Sequence, residues 1–200
     1  MPRMSVRVES TLVGSIAAGT SVSGAVRAAG VMFMIALTAA AAQVSFPIPG
    51  TAVPFTLQPM IVILAGAALG SRLGAMSQMG YLMLGMIGLP IFAASPLPQG
   101  AARLLGPTGG YLMAYPLAAF VTGLLAERGF DRRFSTAVIA MLAGVAVIYT
   151  GGLSWLALMH AGNFTLAIAA GAAPFFLADV FKAVVAAAAL PAAWKLLGRT

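Results

Sequence analysis

The sequence predicts an all-α integral membrane bundle of six transmembrane helices, with both termini inside. Three observations carry that prediction. First, 61% of the 200 residues are hydrophobic and only 8% are charged, at a mean hydropathy of +1.01. Soluble domains run nearer about 25% charged, and so few charges do not cover a water-facing surface. Second, Pro, Gly and polar clusters cut the chain into apolar stretches near the ~20 residues that cross a bilayer. Third, the basic residues fall unevenly between alternate loops, as the positive-inside rule requires. The formal charge of +7 would point to nucleic acid in a soluble protein; here it marks cytoplasmic segments.

The elements follow in order within one membrane domain, 1–200. Residues 1–25, "MPRMSVRVESTLVGSIAAGTSVSG" and the alanine after it, hold two arginines and a weak apolar stretch broken by Ser and Thr. They read as a cytoplasmic or interfacial lead-in, with a cleaved signal peptide as the lesser alternative. The first span runs over about 26–46. "PIPGTAVPFTLQP" follows, with four prolines in thirteen residues, and is not regular helix because proline removes a donor and clashes with the preceding turn. The second span, about 57–70, is short enough to be tilted or partly buried. The third runs over about 72–89 and leads into the Pro/Gly loop "PIFAASPLPQGAARLLGPTGG". The fourth begins near 109 and ends before "ERGFDRR". The fifth covers about 134–159 and the sixth about 172–197, so all six lie within about 26–197.

With the N-terminus inside, the cytoplasmic segments hold Arg3, Arg7, Arg27, Arg72, Arg128, Arg132, Arg133, Lys195 and Arg199, nine of the eleven basic residues. The exceptions are Lys182, inside the sixth span, and Arg103, in the external loop between spans three and four. On this reading Pro174 occupies the first turn of the sixth helix. Asp179 then lies about 7.5 Å deeper and Lys182 about 12 Å deeper, at ~1.5 Å per residue. Three positions apart, they share one helical face. A charge near the bilayer centre costs roughly 2.5–3.5 kcal/mol on insertion scales, so something compensates the pair. Mutual neutralisation is one account, but packed apolar residues stabilise a core as well as such a pair does. Intramembrane ionisable groups otherwise mark function.

Several unusual features share the same outer face: the Pro-rich loop 47–59, Arg103, Gly109 and Gly110, and the outer half of the sixth helix. The two glycines allow a group to approach the backbone closely, and Tyr111 offers an aromatic face with a hydroxyl. Together they describe an outward-open pocket with two cations and one carboxylate, suited to a small anionic ligand with further donor groups. Gln78 and Tyr81 are polar at span depth; each either bonds a neighbouring helix or faces the pocket. The small pairs Ala36/Ala40 and Gly66/Gly70 permit close helix approach.

The chain has no cysteine, which excludes disulfides, thiolate catalysis and Cys-ligated metal. Its single histidine, His160, reads as interfacial, and no metal site is expected. There is no G-x-x-x-x-G-K-[ST], H-E-x-x-H or G-x-S-x-G, so ATP hydrolysis by the first route is excluded and no catalytic constellation emerges. An intramembrane enzyme using Asp179 as acid or base remains an alternative, thinly supported without a second acid or an activated nucleophile. A scaffold protein whose Asp–Lys pair only fixes packing is another.

Three stretches resemble the BioY biotin transporters: "PGTAVPFTLQP" with the two spans that follow it, "LLGPTGGYLMAYPLAAFVTGLLAER", and "PFFLADVFKAVVAAAALP". They cover roughly 47–127 and 174–191, in the family's order, with Ala178 where members often carry Gly. The resemblance implies the substrate-binding S component of an energy-coupling factor transporter in the plasma (inner) membrane. It would bind biotin with high affinity from outside, and a separate transmembrane coupling subunit and two ATPases would energise uptake. It is then not an enzyme and carries no cofactor beyond its transported ligand. By that analogy Asp179, Lys182 and Arg103 contact biotin, and Ala36 with Ala40 faces the coupling subunit. A transporter for another small anionic vitamin is the nearest rival.

Overall fold

The computed structural model describes residues 11–18, 22–94 and 98–196. The expectations for residues 1–10, including Arg3 and Arg7, and for Arg199 lie outside them. The described chain is mostly helical: α1 Leu12–Ala18, α2 Ser23–Gln43, α3 Gln58–Leu69, α4 Ser71–Met86, α5 Ala102–Leu105, α6 Gly109–Ala126, α7 Phe134–Met159, α8 Phe164–Gly171 and α9 Phe176–Leu196. Four of them, α2, α6, α7 and α9, are long and apolar enough to cross a membrane. α3 has 12 residues and α4 has 16, about 18 and 24 Å at ~1.5 Å per residue, short of a hydrocarbon core ~30 Å thick.

α3 is the hub, packed against α1, α2, α4, α6, α7 and α9. Association in lipid depends on close backbone approach and van der Waals contact rather than on expulsion of water, and small residues supply that approach here. A side chain at Gly66 would collide with the backbone of Ala119 on α6, and one at Gly74 on α4 would run into Gly66. The turn between α3 and α4 is the single residue Gly70, at φ +87°, a left-handed conformation that glycine adopts without strain. α4 then starts at Ser71, whose backbone N–H and hydroxyl both donate to Oε1 of Glu127, at 2.7 and 2.8 Å. A carboxylate at that end satisfies orphan donors and opposes the positive end of the helix.

The far ends of α6 and α9 meet in the loop between α6 and α7. Asp131, fully buried, accepts a hydrogen bond from Trp194 Nε1 at 2.6 Å, and the Arg132 guanidinium lies 3.4 Å above the Trp194 ring. Burial raises the Asp131 carboxyl above its usual pKa, while the Trp194 bond and Arg132 act in the opposite direction.

Two boundaries differ from the sequence reading. The lead-in is not wholly outside the bundle: α1 buries Leu12 and Ala17 against α2 and α3, and α2 begins at Ser23. A seven-residue, mostly apolar helix is too short to register as a span yet enough to cover one end of a helix pair. The sixth segment is not one helix from 172. α8, capped by Asn163 accepting from Leu166 N–H at 3.1 Å, ends at Gly171, and α9 begins at Phe176. Pro174 lies in the turn between them, where its missing donor and the restriction on the residue before it interrupt the helix. Asp179 is therefore in the first turn of α9, at the positive end of that helix.

Candidate functional site

The Pro-rich segment 47–57 cannot extend as helix, and it folds into a hairpin between two-residue strands, β1 Ser45–Phe46 and β2 Phe55–Thr56. They pair antiparallel with Ser45 opposite Thr56 and Phe46 opposite Phe55. The hairpin forms one wall of a cleft of about 660 Å³, its open mouth included. The other walls come from the 92–93 loop with α5, the start of α6, the middle of α7, and the first turns of α9. Most of the lining is apolar or aromatic, with a few convergent polar groups, the usual character of a small-molecule site.

At its centre lies the pair Asp179 and Lys182, only 7% and 6% exposed. Lys182 Nζ donates to Asp179 Oδ1 at 2.7 Å and to the Thr56 carbonyl at 2.7 Å, and stands 3.8 Å from the centre of the Phe55 ring. An ammonium has three donors, so two are committed and the aromatic face supplies further stabilisation. The second carboxylate oxygen, Oδ2, accepts from the Tyr149 hydroxyl at 2.6 Å. Each charge thus has short, charge-assisted bonds, which is how a buried ion pair offsets its desolvation. An ionised carboxylate has about four acceptor positions, so Asp179 can accept further bonds from a ligand.

Arg103 is 3% exposed and lines the same cleft; its Nη1 donates to the Ala93 carbonyl at 2.8 Å, holding α5 to the preceding loop. Tyr111 also lines the cleft. Its hydroxyl donates to the Gly171 carbonyl at 2.9 Å, and its ring meets Tyr149 edge-on at 6.4 Å. Gln58, at the foot of the hairpin, donates to the Tyr81 hydroxyl at 2.7 Å, which in turn donates to the Ile91 carbonyl at 3.1 Å. This chain of bonds fixes the loop after α4.

The structure brings Asp179, Lys182, Arg103 and Tyr111 to one cleft, and places the other expected site residues elsewhere. Gly109 packs against the backbone of Leu104, and Gly110 against Trp155 and Gly151 on α7. Their missing side chains serve the contact with α5 and α7 and not an approach from the cleft. Gln78 is fully buried between α2 and α4, donating to Thr38 Oγ1 at 3.3 Å and Ser77 Oγ at 3.2 Å. Ala36 and Ala40 are exposed on α2. Tyr149 and the Thr56 carbonyl escaped the sequence reading. A tyrosine inside a predicted apolar span was the available signal for the first; a main-chain carbonyl leaves none for the second.

Comparison with known proteins gives four matches. A family model described as the BioY family matches residues 12–199. The "Probable biotin transporter BioY" of Pyrococcus horikoshii is 42% identical over 156 residues, 78% of this chain and 88% of that protein. The "Biotin transporter BioY" of Thermotoga maritima is 40% identical over 152 residues, 76% of this chain and 86% of that protein. Among solved structures, the S-component for biotin from an ECF-type ABC transporter, a crystal structure at 2.1 Å, matches at a TM-score of 0.78. It is 27% identical, and the match covers 88% of this chain and 94% of that one.

Proposed function

The chain belongs to the BioY family, and from that premise we propose that it is a biotin-capturing S component whose site is the cleft between the β1–β2 hairpin and α9. The reading is of a membrane transport protein and not an enzyme, in keeping with the names of its relatives and of its structural neighbour. The observation that carries the site is the buried Asp179–Lys182 pair, polarised between Tyr149 and Thr56 and open to a mostly apolar cleft that Arg103 also lines.

The ligand's chemistry suits these groups. A ureido ring offers two N–H donors and a carbonyl, and the remaining acceptor positions of Asp179 take an N–H. Lys182 and Arg103 donate to the carbonyl or to the carboxylate tail, and the Tyr111, Tyr149 and Phe175 rings enclose the thioether ring. A charge-assisted bond contributes about 1.5–3 kcal/mol, whereas nanomolar affinity needs about 12 kcal/mol. Several such bonds must therefore combine with apolar enclosure.

In this reading α2, α3, α4, α6, α7 and α9 are the six helices of the bundle, with the cleft outside and both termini inside the plasma membrane. Arg72, Arg128, Arg132, Arg133 and Lys195 lie at one end and the cleft with Arg103 at the other, which supports that orientation. Local thinning of the bilayer or burial by neighbours accommodates the short α3 and α4. A partner module of a membrane coupling subunit and two ATPases supplies the energy, and the exposed Ala36 and Ala40 face is its contact.

Equilibrium binding of labelled biotin to the purified protein is the test. Asp179→Asn and Lys182→Ala each reduce affinity by roughly ten- to a hundredfold, the loss of one charge-assisted ligand bond of about 1.5–3 kcal/mol. Each also destabilises the fold by leaving a buried charge without its partner. The double variant Asp179→Asn/Lys182→Met leaves no uncompensated charge and separates loss of binding from loss of folding. Unchanged affinity in both single variants overturns the site. Tight binding of another small anionic vitamin, with none of biotin, overturns the ligand.

A further inference from the structure

The end of the bundle opposite the cleft carries a charge imbalance produced by the fold itself. Trp194 is fifteen residues beyond Asp179 on α9, about 22 Å at ~1.5 Å per residue, and the α6–α7 loop lies at that end. Two carboxylates are found there among the described residues, and both face inward. Glu127 is bound to the start of α4 through Ser71, and Asp131 is fully buried beneath Trp194. Those same bonds gather the neighbouring cations. Arg72 follows Ser71, Arg128 follows Glu127, Arg133 lies two residues past Asp131, and Lys195 follows Trp194. All four are exposed, and none has an ion-pair partner among the described residues. Arg132 is held apart from them on the Trp194 ring.

The apolar residues beside these cations locate the cluster. Phe134, next to Arg133, is 50% exposed, and Leu196, next to Lys195, is 89% exposed. Large apolar side chains that alternate with cations at helix ends belong at the headgroup boundary, where long basic side chains reach from the apolar zone to the polar one. Among the described residues no carboxylate pairs with the four cations, which leaves them able to meet an external anionic surface. We propose that Arg72, Arg128, Arg133 and Lys195 form a docking surface for anionic phospholipid headgroups in the leaflet at this end of the bundle. Clustered Lys and Arg beside transmembrane helices each add attraction to an anionic surface, and phosphate is the group that guanidinium geometry fits best.

The test uses the full chain in nanodiscs of phosphatidylcholine alone and of phosphatidylcholine with phosphatidylglycerol, read by thermal unfolding and by native mass spectrometry of retained lipid. Phosphatidylglycerol raises the Tm and stays bound, an effect that falls as salt rises. The variant R72Q/R128Q/R133Q/K195Q loses more than half of the Tm shift and weakens lipid retention by about tenfold or more. The variant R72K/R128K/R133K, which keeps the charge, retains the shift and its salt dependence, so a glutamine variant that fails to fold leaves the measurement intact. Equal stabilisation by both lipids, or a shift that salt does not alter, overturns the proposal and assigns the cations to an acidic protein partner. Inorganic phosphate reproducing the shift in phosphatidylcholine discs also overturns it.

Discussion

Tyr149 holds Asp179 by the oxygen that Lys182 leaves open, at 2.6 Å. A phenol donating to a carboxylate fixes the rotation of that carboxylate and the direction of its remaining lone pairs. Tyr149→Phe keeps the ring against Tyr111 and Phe176 and removes only the donor. A hydrogen bond to a charged group is worth about 1.5–3 kcal/mol to the fold, so the Tm drops by several degrees, and biotin affinity falls by roughly tenfold as Asp179 loses its fixed orientation. An isotherm matching the parent protein rules out this positioning role. The sequence revealed Asp179 and Lys182 because charges inside an apolar run are conspicuous. Tyr149 was hidden because a tyrosine within "AVIYTGG" counts as apolar until its hydroxyl is seen to have a partner. Thr56 was less accessible still, since it contributes a main-chain oxygen that any residue could supply.

The seam between α6 and α7 depends on backbones touching at Gly110 and Gly151, with Ala114 beside them. Gly110→Val drives two methyl groups into Trp155 and the Gly151 carbonyl. Overpacking of this kind costs about 1–3 kcal/mol, and a clash with backbone falls at the upper end. The Tm therefore drops by several degrees. Gly24→Ala, where nothing lies within 4 Å, provides the contrast: it leaves the Tm unchanged or slightly raised, because alanine is about 1 kcal/mol better than glycine in a helix. Equal Tm values for the two variants contradict the packing account. Helix existence was readable element by element, since α2, α6 and α7 are long apolar runs with clear punctuation. The hairpin was readable only as non-helix. Four prolines exclude helix, but the register of a two-residue pair depends on its position over Lys182. The division of 172–197 into a turn and α9 was missed because an apolar run around Pro174 reads equally as a first helical turn.

At the scale of the whole molecule, the carboxylates and cations are sorted between two ends. The cleft end keeps Asp179, Lys182 and Arg103, and the other end presents bare cations around two inward-facing acids. The proposed topology rests on that sorting and is open to direct measurement, because the chain contains no cysteine. Ala52→Cys, exposed in the hairpin loop, reacts with a membrane-impermeant maleimide in intact cells. Ser135→Cys, exposed at the start of α7, reacts only after permeabilisation. The reverse pattern inverts the proposed orientation. The number of bilayer-spanning helices was harder to read, since α3 is as apolar as a span without its length, and α4 is both short and less apolar.

The bond from Lys182 to the Thr56 carbonyl joins residues 126 apart in sequence. During synthesis the hairpin and the first long helices emerge well before α9, and contacts of such separation form late. A ribosome-bound chain halted before Phe176 thus has no ammonium to donate to the Thr56 carbonyl and no carboxylate for Tyr149 to orient. Competence to hold a ligand therefore arises in a single late step, when the last helix docks.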